Sequence, residues 1–291
     1  MSSVLYDELG PRGRRRVRVA SAAAYVVIAV LVLVALDKLG DKGQLEARRW
    51  KNLGNTELLE FLAKGLWQNV KAAIVAMALA LVLATFLALG RLSRARPVRW
   101  ASGFVVETFR ALPQLLFILA AAIVLPRYGY ELPLFVYVVV GLTVYQGAVL
   151  AEIFRAGILS LDRGQSEAAY AVGLTYRQAM ALVVVPQAVR RMLPSIVSQL
   201  VTLFKDTSLG YAIGYEEMVR RGRFASVQFG ESLLQIALLV AVTFVLINMT
   251  LSRLARRLEQ RQGSRYGGGT TTVAGVEDLT ALDVSTTTGR P

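Results

Sequence analysis

Gly164-Gln165-Ser166-Glu167-Ala168-Ala169-Tyr170-Ala171-Val172-Gly173 is followed by Leu174, by Thr175-Tyr176-Arg177-Gln178, and by an apolar run that ends at Val185-Pro186. Ser166 reads as a helix start, the alanines favour helix, and Gly173 suits the left-handed residue that follows a helix end. Thr175 then opens Thr-x-x-Gln with Gln178, a capping-box pattern in front of a second helix. The whole segment from Glu152 to Arg191 is too polar to cross a bilayer, yet its composition is not that of a disordered chain. It predicts a helix, a tight turn at Gly173 and a second helix lying along a membrane face.

The flanking sequence supplies the membrane. Apolar runs near the roughly 20 residues that a transmembrane helix needs occur at about 20–36, 66–90, 103–125, 133–151, 192–212 and 232–252. They predict an all-α integral membrane protein with six transmembrane helices. The 291 residues are 55% hydrophobic with a mean hydropathy of +0.49, too apolar for a soluble chain of this size. The first run follows Arg12, Arg14, Arg15, Arg16 and Arg18. It exceeds the usual apolar core of a cleaved signal peptide and lacks a clear Ala-x-Ala site, so it is expected to stay as a helix.

Charge orients the spans. With both termini in the cytoplasm, the segments 1–19, 91–102, 152–191 and 253–291 carry 20 Lys and Arg against 9 acids, while 37–65, 126–132 and 205–231 carry 11 against 10. This is the positive-inside asymmetry, and it places nearly all of the net charge of +13 on one side. Arg clusters at helix ends meet anionic lipid headgroups, so the basic balance does not call for nucleic acid.

With no His and no Cys, the chain has no Ser-His-Asp triad, thiolate nucleophile, histidine-bound haem, disulfide framework or thiolate zinc site. No G-x-x-x-x-G-K-[ST] phosphate loop is present either. We expect no catalytic residue, no metal site and no cofactor on this chain. The segment 37–65 mixes charges with Trp50, Leu58 and Phe61 and is expected to hold a short interfacial helix. Tyr215 to Gly230 reads as a mixed-charge solvated loop. The Gly/Ser/Thr-rich tail after Gln262 is expected to be disordered, and no function is ascribed to it.

Charges inside spans are expensive and hence candidates for function. Glu107 and Arg110 stand three apart on one helical face, so they can pair with each other or serve a gate or substrate path. Lys205-Asp206-Thr207-Ser208 interrupts the fifth run. A self-satisfied pair and a gate both remain open there, since broken helices at membrane depth must face protein or water. A zwitterionic amino acid needs a cation for its carboxylate and an acceptor for its ammonium, roles open to Lys205 or Arg110 and to Asp206 or Glu107.

Taken with its spacing, Gly164-Gln165-x-Glu167-Ala168-Ala169-x-x-x-Gly173, followed by Val183-x-Val185-Pro186-Gln187-Ala188-x-Arg190, resembles the EAA loop of ABC importer permeases of the polar amino-acid uptake family. Glu107-Thr108-Phe109-Arg110-x-x-Pro113, Ala151-Glu152-Ile153-Phe154-Arg155-x-Gly157 and Lys205-Asp206-Thr207-Ser208-Leu209 resemble the same family. Within it, the extra N-terminal span, Val4-Leu5-Tyr6-Asp7 with Gly10-Pro11, and Tyr211-x-Ile213-Gly214-Tyr215 are similar to the D-type permeases of actinobacterial glutamate uptake systems.

The resemblance implies a permease core at 66–255, of five spans, behind an extra helix at 20–36, with the EAA loop at about 152–191 and a cytoplasmic tail at 256–291, disordered from about 263. It implies that Gly164, Gln165, Glu167, Ala168, Ala169, Gly173 and Pro186 couple to a cytoplasmic ATPase dimer, which uses the ATP and Mg. It assigns Lys205, Asp206, Thr207, Ser208, Arg110 and Glu107 to the gate or substrate path. A second permease, related but different, and an extracytoplasmic binding protein, for which Tyr215 to Gly230 stays open as a docking loop, complete the implied complex, working by alternating access. Glutamate is the first expected substrate, with glutamine, aspartate or arginine behind it. The rival reading, an ion-coupled secondary transporter, calls for inverted repeats and ion sites that the sequence does not display clearly.

Overall fold

The computed structural model describes residues 10–228 and 232–266, and every regular element among them is helical. In chain order these are α1 (Pro11–Asp41), α2 (Ala47–Lys51), α3 (Thr56–Arg91), α4 (Arg96–Ala111), α5 (Gln114–Arg127), α6 (Leu134–Leu159), α7 (Arg163–Ala171), α8 (Tyr176–Ala179), α9 (Val185–Asp206), α10 (Met218–Gln228) and α11 (Leu233–Tyr266). Tight 3-10 turns run over Asn52–Gly54 and Thr207–Ile213, and a widened π turn over Met180–Val184.

Among the described residues, five helical runs are long and apolar enough to cross a membrane, lying in α1, α3, α6, the continuous stretch Tyr176–Ile213, and α11. The expected span at 103–125 is not one helix. It breaks into α4 and α5, bent by 100°, and counts as a sixth span only if the pair is taken together. Pro113 is the cause, because its ring excludes the α conformation from the residue before it. Leu112 accordingly sits at φ −92°, ψ 144°.

Other boundaries move as well. The basic segment at 1–19 is already helical from Pro11, and α11 continues to Tyr266 past the expected start of the disordered tail. The motif at Val4–Asp7 and the tail beyond Tyr266 lie outside the described residues. Most of 215–230 is the helix α10, whose Met218, Gly222, Ala225 and Ser226 are buried, so it is not a solvated loop.

The chain divides into two compact units, Met1–Gly65 with Met218–Val242, and Leu66–Glu217 with Thr243–Pro291. In the first, the Arg221 guanidinium lies 4.8 Å over the Phe61 ring and Gln235 Nε2 donates to the Gln44 carbonyl at 2.6 Å. In the second, Ala72, Ala76, Ala80, Ala84 and Ala88 recur every fourth residue along α3 and are all buried in the core. Such a stripe of small residues lets helices approach closely, which is how packing replaces the hydrophobic effect in lipid. Ile118, Val138, Leu142, Leu150 and Leu203 fill the same core from α5, α6 and α9. The α5–α6 pairing brings backbones close, since a Cβ on Gly141 would lie 2.6 Å from the Ile118 Cα.

A buried polar knot holds the 3-10 turn. Fully buried Asn69 donates from Nδ2 to Thr207 Oγ1 at 2.8 Å and to Glu217 Oε2 at 3.2 Å, and Thr207 donates to the Phe204 carbonyl at 2.7 Å. Gly214 closes the turn at φ 91°, where a side chain would be strained. Tyr215 then donates its hydroxyl to Gln68, at 3.1 Å to the carbonyl and 3.0 Å to Oε1. Burial, with the Glu217 carboxylate second, pushes the Tyr215 phenol up to about 12, so the donor stays protonated.

Two changes test this packing. Gly141→Leu is expected to cost at least the ~1–3 kcal/mol typical of overpacking, read as a lower melting temperature of the purified protein in detergent. Asn69→Leu removes a donor from two buried acceptors and is expected to cost about 1–3 kcal/mol in the same measurement; an unchanged melting temperature would show that the knot does not hold the turn.

Candidate functional site: a stiff helical elbow and its rod

Asp162, not Ser166, begins the first short helix. Its carboxylate accepts from the Gly164 N–H at 2.8 Å and caps α7, while Ser166 lies inside the helix and donates to the Arg163 carbonyl at 2.9 Å. The acidic cap supersedes the hydroxyl because it sits one position before the first helical residue and matches the positive helix end. At the other end Gly173 has φ 83°. Its N–H bonds the Tyr170 carbonyl at 2.9 Å and the next N–H bonds Ala169 at 3.1 Å, a Schellman turn.

The second helix starts where the capping box places it: Gln178 Oε1 accepts from the Thr175 N–H at 2.9 Å and from its hydroxyl at 2.8 Å. It does not stop at Pro186 and lie flat. The chain runs on through the π turn into α9 as one helical stretch, Tyr176–Ile213. Pro186 lacks the N–H that an α register would need, and widening the preceding turn, with Val185 bonded back to Met180, accommodates the loss.

The elbow is clamped to the rod it feeds. Gln187 Nε2 donates to Gln165 Oε1 at 3.0 Å, and Arg191 Nη1 to the Ser160 carbonyl at 2.9 Å. The Arg94 guanidinium caps the Tyr176 ring at 4.8 Å. Ala169, Ala179 and Ala188 face inward and are buried, whereas Gly164, Gln165, Glu167, Ala168, Gly173 and Pro186 are exposed. All seven residues of the expected coupling set thus lie on one compact structure, six of them with surface to offer a partner.

The second expected set is dispersed. Glu107 does not pair with Arg110. It takes Arg91 Nη1 at 3.3 Å, and Arg91 Nε also reaches Glu152 Oε2 at 3.7 Å. Glu152 is gripped in turn by Arg155, through Nε at 3.1 Å to both oxygens and through Nη2 at 2.5 Å. Arg91 closes α3 and so brings a third helix end to the cluster, which the three-residue spacing of Glu107 and Arg110 could not reveal. Arg110 forms no ion pair with the described residues and is exposed.

Lys205 and Asp206 close α9, Lys205 exposed and Asp206 half-buried. Adjacent helical residues point apart, so the two do not bond each other. Thr207 is fully buried in the polar knot, and Ser208 donates to the Lys205 carbonyl at 2.8 Å. No ion pair joins this group to Glu107 or Arg110 among the described residues.

Sequence reasoning passed over Asn69 and Gln146. Gln146, fully buried on α6, donates to Gln199 Oε1 at 2.7 Å, while its own Oε1 and the Thr143 hydroxyl, one turn away, have no hydrogen bond among the described residues. A lone amide inside a long apolar run was the available signal, since polar groups are costly there.

Residues 76–264 match the family model described as the binding-protein-dependent transport system inner membrane component. The chain is 41% identical to the glutamate transport system permease protein GluD of Corynebacterium glutamicum, over 77% of this chain and 83% of that one. It is 36% identical to the probable glutamine ABC transporter permease protein GlnP of Bacillus subtilis, over 71% and 95%. A solved amino acid ABC transporter structure, determined with histidines, matches with TM-score 0.66 and 27% identity over 72% of this chain and 97% of that chain. The methionine transporter MetNI in an inward-facing form matches at TM-score 0.56 and 18% identity, a likeness of fold alone. The chain belongs to the family of binding-protein-dependent transport system inner membrane components and is a multi-pass membrane permease subunit of the ABC importer type.

Proposed function

We propose that the chain carries polar amino acids inward, glutamate first, as the permease of an ATP-driven importer whose ATPase seats on the α7–α8 elbow. The observation that carries this reading is the elbow itself, capped at both ends of α7, bonded to α9 and presenting Glu167 and Ala168 outward. A carboxylate beside an alanine suits a basic groove, because it offers charge and permits close backbone approach. Similarity to a glutamate permease supports the substrate.

In this reading the permease core spans 66–255, α1 is an addition ahead of it, and both termini face the cytoplasm by the charge asymmetry. ATP and Mg belong to two ATPase subunits. A second, related permease and an extracytoplasmic binding protein complete the complex. Closure of the ATPases pushes on Glu167 and Ala168. Because Tyr176–Ile213 is one helical stretch, the displacement reaches Lys205, Asp206, Thr207 and Ser208 at its far end and opens or shuts the path. Lys205 and Arg110 offer cations to a substrate carboxylate, Asp206 and Glu107 acceptors to its ammonium, and Gln146 with Thr143 further polar groups.

The decisive measurement is glutamate uptake by proteoliposomes holding the chain with its ATPase, second permease and binding protein. Uptake that needs ATP is expected; uptake on an ion gradient without the ATPase would replace this reading with a secondary transporter. Gly173→Val forces a β-branched residue to φ 83° in otherwise open space. That strain of about 1–3 kcal/mol should distort the elbow, cutting uptake at least about tenfold while membrane insertion persists. Gly173→Asn, which tolerates the left-handed region, should keep most of it. Lys205→Met and Asp206→Asn should each lower uptake by about 10–100-fold if they meet substrate charge; wild-type rates in both would take them out of the path.

A further inference from the structure

Where α4 begins, the chain forms an open cavity of about 730 Å³ lined by Arg91, Arg96, Arg99, Trp100, Phe104 and Glu107 among others. We propose that this cavity binds an anionic phospholipid, with the phosphate held by Arg96 and Arg99 and the acyl chains laid along Trp100 and Phe104.

Charge is the first argument. Three guanidiniums line the cavity against one carboxylate, and that carboxylate, Glu107, is engaged by Arg91 at 3.3 Å. Arg96 forms no ion pair with the described residues, and Arg99 gives one donor to the Ser93 carbonyl at 3.2 Å, leaving most of its fork free. The cavity also lies at the N-terminus of a 16-residue helix that no side chain caps, so helix polarity and guanidinium charge act in the same direction.

Apolar exposure is the second, independent argument, and it selects a lipid over a soluble anion. Trp100 is 76% exposed and Phe104 61%, and the two rings stack with centroids 6.1 Å apart. A soluble phosphate has no use for that surface, whereas an acyl chain covers it. The helix that carries both features is bent 100° from α5, and a basic helix with exposed aromatic rings suits the membrane interface. Tryptophan at that level, next to arginines that attract anionic headgroups, is the expected chemistry of such a position.

The protein supplies its own reporter. Trp50 and Trp67 are the other two of its three tryptophans, so the full chain carrying Trp50→Phe and Trp67→Phe emits from Trp100 alone. Titrated in neutral detergent, dioctanoyl phosphatidylglycerol should change that emission saturably, at least about tenfold more tightly than dioctanoyl phosphatidylcholine. Glycerol 3-phosphate should leave it unchanged. Adding Arg96→Gln with Arg99→Gln, both at exposed positions, should reduce the phosphatidylglycerol response to the phosphatidylcholine level, and Arg96→Lys with Arg99→Lys should retain most of it. Equal affinity for the two lipids, an undiminished response in the glutamine variant, or saturation by glycerol 3-phosphate would overturn the proposal. So would an emission change that follows protein concentration without lipid, which would give the surface to a second copy of the chain.

Discussion

A peptide group inside hydrocarbon has no water to bond, so a chain this apolar must satisfy its backbone within its own helices or against other protein. The departures from regular helix in this structure are governed by that constraint. At Leu112-Pro113 the helix breaks; at Met180–Val184 it widens ahead of Pro186; at Thr207–Ile213 it tightens into a 3-10 turn. The third irregularity is compensated by buried side chains, with Thr207 bonded to both Asn69 and the Phe204 carbonyl.

Two of these irregularities, the π turn and the 3-10 turn, lie on the helical stretch that the proposed mechanism would displace. The elbow at Gly173 is stiff because both helices meeting there are capped, and it is bonded to α9 through Gln165–Gln187 and Ser160–Arg191. At the opposite end of the Tyr176–Ile213 stretch, the polar knot ties the 3-10 turn to α3. A helical rod anchored at one end by a specific hydrogen-bonded cluster and gripped at the other is suited to carry displacement, because a packed core repacks between discrete arrangements and does not deform continuously. The ion cluster of Arg91, Glu107, Glu152 and Arg155 joins α3, α4 and α6.

Local chemistry was legible where it depended on neighbours in sequence. Gly173 at a left-handed helix end and Thr175 with Gln178 at the next helix start were readable because caps involve residues within four positions of each other. The bend at Pro113 was equally local but lay inside an apolar run whose hydropathy masked it. Partners distant in sequence were not readable: Glu107 lies beside Arg110 in sequence yet bonds Arg91, and Asn69 meets Thr207 and Glu217 across more than 130 residues. Tyr215 to Gly230 misled because mixed charge resembles solvated loop, whereas α10 buries its small residues.

By itself the sequence determined that the chain is a helical membrane protein, that its basic residues gather at particular helix ends, and that it holds no His and no Cys. Hydropathy, charge asymmetry and missing residue types are sums over positions, so they need no coordinates. Only the tertiary structure decided which charges pair, that the second short helix continues into a membrane span, and that arginines and exposed aromatic rings converge on one cavity at the start of α4. Each of these is a distance between groups whose separation depends on how helices bend and pack, and bending here turns on single residues such as Pro113 and Pro186, whose effects only the packed neighbours resolve.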